Sequence, residues 1–157
     1  MSPAPQYFHQ YIVKNLVYIL EGHIRKNSLG ALAPAPVDVY LTKHNVYQPD
    51  LVFVSQSHLS LIRKNGIHGA PDLVIEILSP GTKKLDLGPK REIYAKTGVN
   101  ELWIVDPNKH EIAVYHLSLD RKKPGEVWKE GQSFTSQHFP GLEVPLSEVF
   151  YRNYEAR

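Results

Sequence analysis

The 157-residue chain contains no cysteine. That absence excludes a disulfide scaffold, a cysteine nucleophile and a thiolate zinc site. No apolar run approaches the roughly 20 residues a helix needs to cross a bilayer. The opening Met1-Ser2-Pro3-Ala4-Pro5-Gln6 lacks the basic stretch and apolar run of a signal peptide. The expected location is therefore the cytoplasm, with no membrane partner. No Gly-rich phosphate loop occurs, because Gly81 and Gly88 lack the required context. A Gly-x-Ser-x-Gly nucleophile elbow is missing as well. The eight histidines are scattered without zinc-ligand spacing, and they read as surface or core residues. Strong charge is also lacking. A net charge of +2 is far below that of proteins that coat DNA, but it suits a chain whose lysines are offset by an acidic metal site.

What is present is enough for one folded domain spanning 1–157. Hydrophobic residues make up 42% and charged residues 22%, so a chain of this length can bury a core without cross-links. Phe8, Ile12, Leu16, Ile19, Leu20 and Ile24 recur at helical spacing and predict a helix over 7–26, stopped at Asn27-Ser28-Leu29-Gly30. Strands are expected at 37–41, 49–55, 72–78 and 101–105, with a short helical turn near 59–63. A helix over 87–96 has Pro89 in its first turn and Gly98 at its left-handed end. The segments 111–117 and 127–134 read as antiparallel additions, and the tail from 145 as a capping segment. Short links between the early strands imply antiparallel pairing. The helix between 72–78 and 101–105 implies one parallel crossover. The expected fold is therefore α/β, with a mixed central sheet flanked by helices. Its centre is expected to hold 37–41, 49–55, 72–78 and 101–105.

Three acids interrupt these strands: Asp38, Asp50 and Glu76. Carboxylates are rarely buried unless they are paired, hydrogen-bonded or bound to metal. By strand alternation Asp72, Val74, Glu76 and Leu78 share one face and Leu73, Ile75 and Ile77 the other. Two readings of Glu76 stand side by side. It is either a buried ion pair with Lys90 or Arg91, or it converges with an acid of the neighbouring strand on a hard cation. Asp72, after Pro71, reads as a turn acceptor. Asp86 is placed to cap the helix that follows it. Lys90, in the first turn of that helix, is either a solvated surface lysine or reaches back over Glu76. Arg121-Lys122-Lys123 reads as a solvated turn, and Trp103 as core. Trp128 and the tyrosines at 115, 151 and 154 suit either an oligomer surface or a second small core.

Pro49-Asp50, followed after a connection of about twenty residues by Glu76, resembles the PD-(D/E)xK motif of restriction-endonuclease-like proteins. The run Pro71-Asp72-Leu73-Val74-Ile75-Glu76-Ile77-Leu78-Ser79-Pro80 is followed by Asp86, Lys90, Tyr94, Gly98-Val99, Glu101-Leu102-Trp103 and Val105-Asp106. Together these are similar to a large bacterial family of "putative restriction endonucleases". The resemblance covers about 3–117 and implies a restriction-endonuclease-like core. It also implies a Mg²⁺- or Mn²⁺-dependent endonuclease acting on nucleic acid, with DNA as the expected substrate. Asp50 and Glu76 would be the metal ligands and a lysine would be the third catalytic group. The lysine position of the motif holds Leu78, so Lys90 is the expected replacement. Lys83 and Lys84 are expected at substrate phosphates, and Asp38 and Asp86 as accessory acids. Relatives carry an acidic strand before the Ser2-Pro3-Ala4-Pro5 stretch, where this chain begins. That departure and Leu78 keep a second reading open, a catalytically weakened nucleic-acid-binding module on the nuclease fold. The aromatic C-terminal third leads us to expect at least a homodimer.

Overall fold

The computed structural model describes residues 6–79 and 87–155. Helix α1 (Tyr7–Asn27) ends where Ser28 turns left-handed. Strand β1 (Gly30–Pro34) follows, then the short β2 (Val39–Tyr40) and β3 (Val46–Tyr47), and β4 (Leu51–Ser55). A 3-10 turn (Gln56–Leu61) leads into β5 (Ile62–Arg63), β6 (Gly66–His68) and β7 (Leu73–Ile77). Helix α2 (Pro89–Thr97) starts on Pro89 and ends on Gly98 at φ 105. The rest comprises β8 (Glu101–Asp106), β9 (Glu111–His116), β10 (Glu126–Lys129), β11 (Ser133–Phe134), β12 (Val144–Pro145) and α3 (Leu146–Val149). No described helix is long and apolar enough to cross a membrane.

The main sheet has the order β1-β4-β7-β8-β9-β10. Only β7 and β8 run parallel, through the crossover that carries α2; the other pairs are antiparallel. The expected mixed α/β sheet is therefore present, with β4, β7 and β8 at its centre. The expectation for 37–41 needs correction. Only Val39 and Tyr40 are extended, and they belong to a separate small sheet, β3-β2-β6-β5. The place beside β4 is taken by β1, whose Gly-Ala-Leu-Ala-Pro sequence does not read as a strand. An edge strand needs backbone partners on one side only, so ladder bonds to β4 hold it despite small side chains and a terminal proline. The expected strand over 127–134 is divided between β10, on the main sheet, and β11, which pairs with β12.

Alternation along the strands produces two cores. On one face Leu51, Phe53, Leu73, Ile75, Ile77, Trp103 and Val105 pack under Ile12, Leu16, Leu20 and Ile24 of α1. On the other, Val74, Leu78, Leu102 and Ile104 pack with Tyr94 of α2. Val52 and Val54 on that face pack with Val39 and Ile67 of the small sheet. Fully burying each large aliphatic contributes roughly 2 kcal/mol. Trp128 stacks on Phe134, which meets Trp103 edge-on, so it extends the α1-side core rather than forming a separate one. Asn15, buried on α1, donates to the carbonyls of Val149 and Tyr151 and ties the C-terminal tail to that helix.

Gly30 carries a geometric constraint that its sequence position does not reveal. At φ 149, a Cβ would lie 2.1 Å from the Val54 carbonyl oxygen on the paired strand. Gly131, at φ 89, has open space around the same position. Gly30→Ala should therefore lower the urea unfolding midpoint by the equivalent of at least about 2 kcal/mol, and Gly131→Ala by about 1 kcal/mol from backbone strain alone. Equal costs for the two substitutions would show that β1 does not approach β4 this closely.

Candidate active site

The strand pairing brings two of the sequence-selected acids to one place. Leu51 pairs with Ile75, so Asp50 and Glu76 come next in register, at the start of β4 and near the end of β7. They are linked through each other's main chain. The Asp50 N–H donates to Glu76 Oε1 at 3.1 Å, and the Ile77 N–H donates to Asp50 Oδ2 at 2.7 Å. Glu76 lies on the α2 side and is only 2% exposed. The Tyr94 hydroxyl donates to its Oε2 at 3.2 Å, and the Lys90 ammonium is paired with the same oxygen. Lys90 rises from the first turn of α2 and also stands 5.5 Å from the Tyr47 ring centroid. Arg91, the other cation considered for Glu76, instead lies over the Tyr115 ring.

Leu78 now has a physical account. It is buried among Tyr94, Val99, Leu102 and Ile104 beneath α2. A lysine there would put its stem into that apolar layer, whereas a cation on α2 reaches Glu76 from above. Asp38 is not with the acid pair. It accepts a hydrogen bond from Gln48 Nε2 and lines a separate hollow of about 540 Å³, between β1, β4 and the β5–β6 hairpin. Asp86, Lys83 and Lys84 lie outside the described residues. Asp72, at the far end of β7, accepts from the Ser55 N–H and pairs with His58, so it anchors the 3-10 turn.

Two ionisable residues at buried positions escaped the sequence reading. Glu101, 1% exposed, accepts from Trp103 Nε1 and Ser136 Oγ on the α1 side, at the opposite end of the sheet from Glu76. His9 is the more consequential. It stands on the apolar face of α1, and that was the available signal. Its Nε2 is 3.3 Å from Asp50 Oδ2, and its Nδ1 is 3.1 Å from Gln10 Oε1. Both ring nitrogens thus face oxygen, which suits the imidazolium. Burial alone would push its pKa down. The hydrogen bond and charge of Asp50, helped by Gln10 and the Ile77 main chain, outweigh burial and raise the pKa above 6.5. A hollow of about 350 Å³ lined by Gln10, Val13, Lys14, Val17 and Pro34 opens beside Asp50.

The donor set suits a hard divalent cation. Two carboxylates on adjacent strands present oxygen, and ions of the Mg²⁺ class are commonly held by one or two carboxylates with water completing the shell. Asp50 Oδ1 takes no hydrogen bond among the described residues. Those residues include no cluster of three or more acidic, His or Cys donors.

The pH response of His9 follows from its raised pKa. Stabilisation by the imidazolium is fully present below the unfolded value of 6.5 and is lost as pH rises through the higher folded value. The urea midpoint of the parent should therefore fall relative to that of His9→Gln as pH rises above 6.5. An NMR titration placing His9 at or below 6.5 would contradict the ion pair with Asp50.

Comparison with known proteins agrees with this architecture. A crystal structure of a "putative nuclease belonging to DUF820" from Anabaena variabilis ATCC 29413 superposes with a TM-score of 0.77. The match covers 96% of this chain and 84% of that one at 20% identity, a likeness of fold. No curated protein matches the chain. The family model described as "Putative restriction endonuclease" matches residues 1–147, and with β4, β7, α2 and β8 arranged in a nuclease-like core, the chain belongs to that Uma2 family.

Proposed function

We propose that the chain is a Mg²⁺- or Mn²⁺-dependent endonuclease that hydrolyses phosphodiester bonds in DNA. In this reading Asp50 and Glu76 hold the metal and Lys90 serves as the cationic group. Membership of a restriction-endonuclease-like family supports a nucleic-acid substrate and, at a coarse level, a divalent metal. The observation that carries the reading is Glu76. It is a nearly dry carboxylate in register with Asp50, and the Lys90 ammonium lies against it.

Each side chain has a distinct task. The Asp50 N–H and the Tyr94 hydroxyl orient Glu76; the Ile77 N–H and His9 orient Asp50. Preset ligands lose little orientational freedom when they engage a cation. A divalent ion bound there would polarise the scissile phosphate and lower the pKa of an attacking water. Lys90, on the rigid base of α2, would offset charge developing on the phosphate, a task that a flexible stem and three donors can perform. Double-strand cleavage calls for two such sites. The reading therefore includes pairing of two copies through the C-terminal third, where Val127 and Tyr151 are exposed.

The test is nicking of supercoiled plasmid with Mg²⁺ or Mn²⁺. Asp50→Ala and Glu76→Gln should abolish it. Lys90→Met should slow it by roughly 10² or more while leaving Mn²⁺ affinity nearly unchanged. Removing one partner of a buried ion pair costs about 3–5 kcal/mol. Each variant is therefore checked by thermal unfolding, and the double variant Glu76→Gln, Lys90→Met separates lost folding from lost chemistry. Mn²⁺ affinity unchanged in Asp50→Ala, Glu76→Gln would remove the metal assignment. Salt-dependent DNA binding by the parent without cleavage would instead support the weakened binding module.

A further inference from the structure

The solvent face of α1 carries an unusual composition. Positions 7, 11, 14 and 18 are spaced four, three and four apart, so they form one stripe along the helix. They are Tyr7, Tyr11, Lys14 and Tyr18. Tyr7 is 71% exposed and Tyr18 83%, and neither belongs to a buried core. The upper rings are held in place. Tyr7 and Tyr11 each meet Tyr154 edge-on, at centroid distances of 5.0 and 5.1 Å, and the Tyr11 hydroxyl donates to Asn153 Oδ1. Cations lie among the rings. Lys14 Nζ stands 3.4 Å from the Tyr11 centroid, and the Arg152 guanidinium 5.9 Å from that of Tyr154. No acid interrupts the stripe; Glu21, a turn further on, is paired with Arg25.

Two features identify the occupant. The first is charge and ring complementarity: a row of tyrosine rings with interleaved cations suits a polyanion that exposes flat bases. An intact duplex hides its base faces in the stack and would leave the tyrosines unused. Pairing this face with the same face of a second copy would set its cations, Lys14 and Arg152, against like charges. The second feature is continuity, because Lys14 also lines the hollow beside Asp50. We propose that this face, from Tyr7 to Tyr18 with Lys14 and Arg152, is a track for a nucleic-acid strand with unpaired bases, leading it to the Asp50–Glu76 site. The proposal rests on the nuclease reading and directs its cleavage to strands whose bases are unpaired, in single-stranded, gapped or flapped nucleic acid or where a supercoiled plasmid opens.

The test uses the full chain in EDTA, with a fluorescein-labelled single-stranded oligonucleotide and its duplex, read by anisotropy. The single strand should bind more tightly than the duplex. Tyr18→Ala, at a position that contributes to no core, should weaken single-strand binding about tenfold and leave the duplex nearly unchanged. Tyr18→Trp should retain or strengthen it, and Lys14→Gln should flatten its salt dependence. Duplex binding at least as tight as single-strand binding, with Tyr18→Ala silent on both, would overturn the track and leave the nuclease reading intact. Failure of the parent to bind either form would overturn the track, and plasmid nicking judges the nuclease reading separately. A dimer by light scattering that Tyr18→Ala dissociates would assign the face to a second copy and overturn the proposal.

Discussion

A carboxylate placed in a nearly dry interior has to be solvated by the protein itself, and Glu76 imposes that requirement on everything around it. Left unpaired, such a charge would cost several kcal/mol. The molecule meets the requirement with the Asp50 N–H, the Tyr94 hydroxyl and the Lys90 ammonium. Those partners come from the strand beside it and the helix above it. Satisfying one carboxylate therefore sets how β4 begins against β7 and how α2 seats on the sheet. An apolar residue at 76 would have packed as well with less constraint on its neighbours.

Glu101 offers a comparison within the same sheet. It is as buried as Glu76, but its donors are an indole N–H and a serine hydroxyl, and the nearest cation candidate is His116 at 3.5 Å. The Ser136 contact attaches the loop after β11 to the core, a local fastening. Glu76 has a lysine, a neighbouring acid and a hollow beside that acid. The two acids are equally buried; the difference in their partners is what makes Glu76 the candidate for chemistry.

The candidate site was legible in its local geometry, where side-chain alternation and register decide matters. Glu76 on the α2 face, Leu78 beneath that helix, Pro89 at its start and Gly98 at its end all follow from local rules, and all are present. Strand β1 was not legible, because its stability comes from main-chain bonds to β4 rather than from its own side chains. Segment 37–41 misled in the opposite way: its alternating apolar residues suit any sheet, and only the chain path sends them to the small one.

By itself the sequence determined what depends on near neighbours: the apolar stripe of α1, the doubly buried β7, and the crossover that makes β7 and β8 parallel; its resemblance to the nuclease motif singled out Asp50, Glu76 and Lys90 as candidates. Only the tertiary structure decided which distant groups meet. His9 and Asp50 are 41 residues apart, and Asp50 and Glu76 are 26 apart. Periodicity reports which face a side chain takes, but it carries no information about the partner across that face. That partner is settled when the elements pack, because a buried charge must find a donor within hydrogen-bonding reach and an apolar face must exclude water.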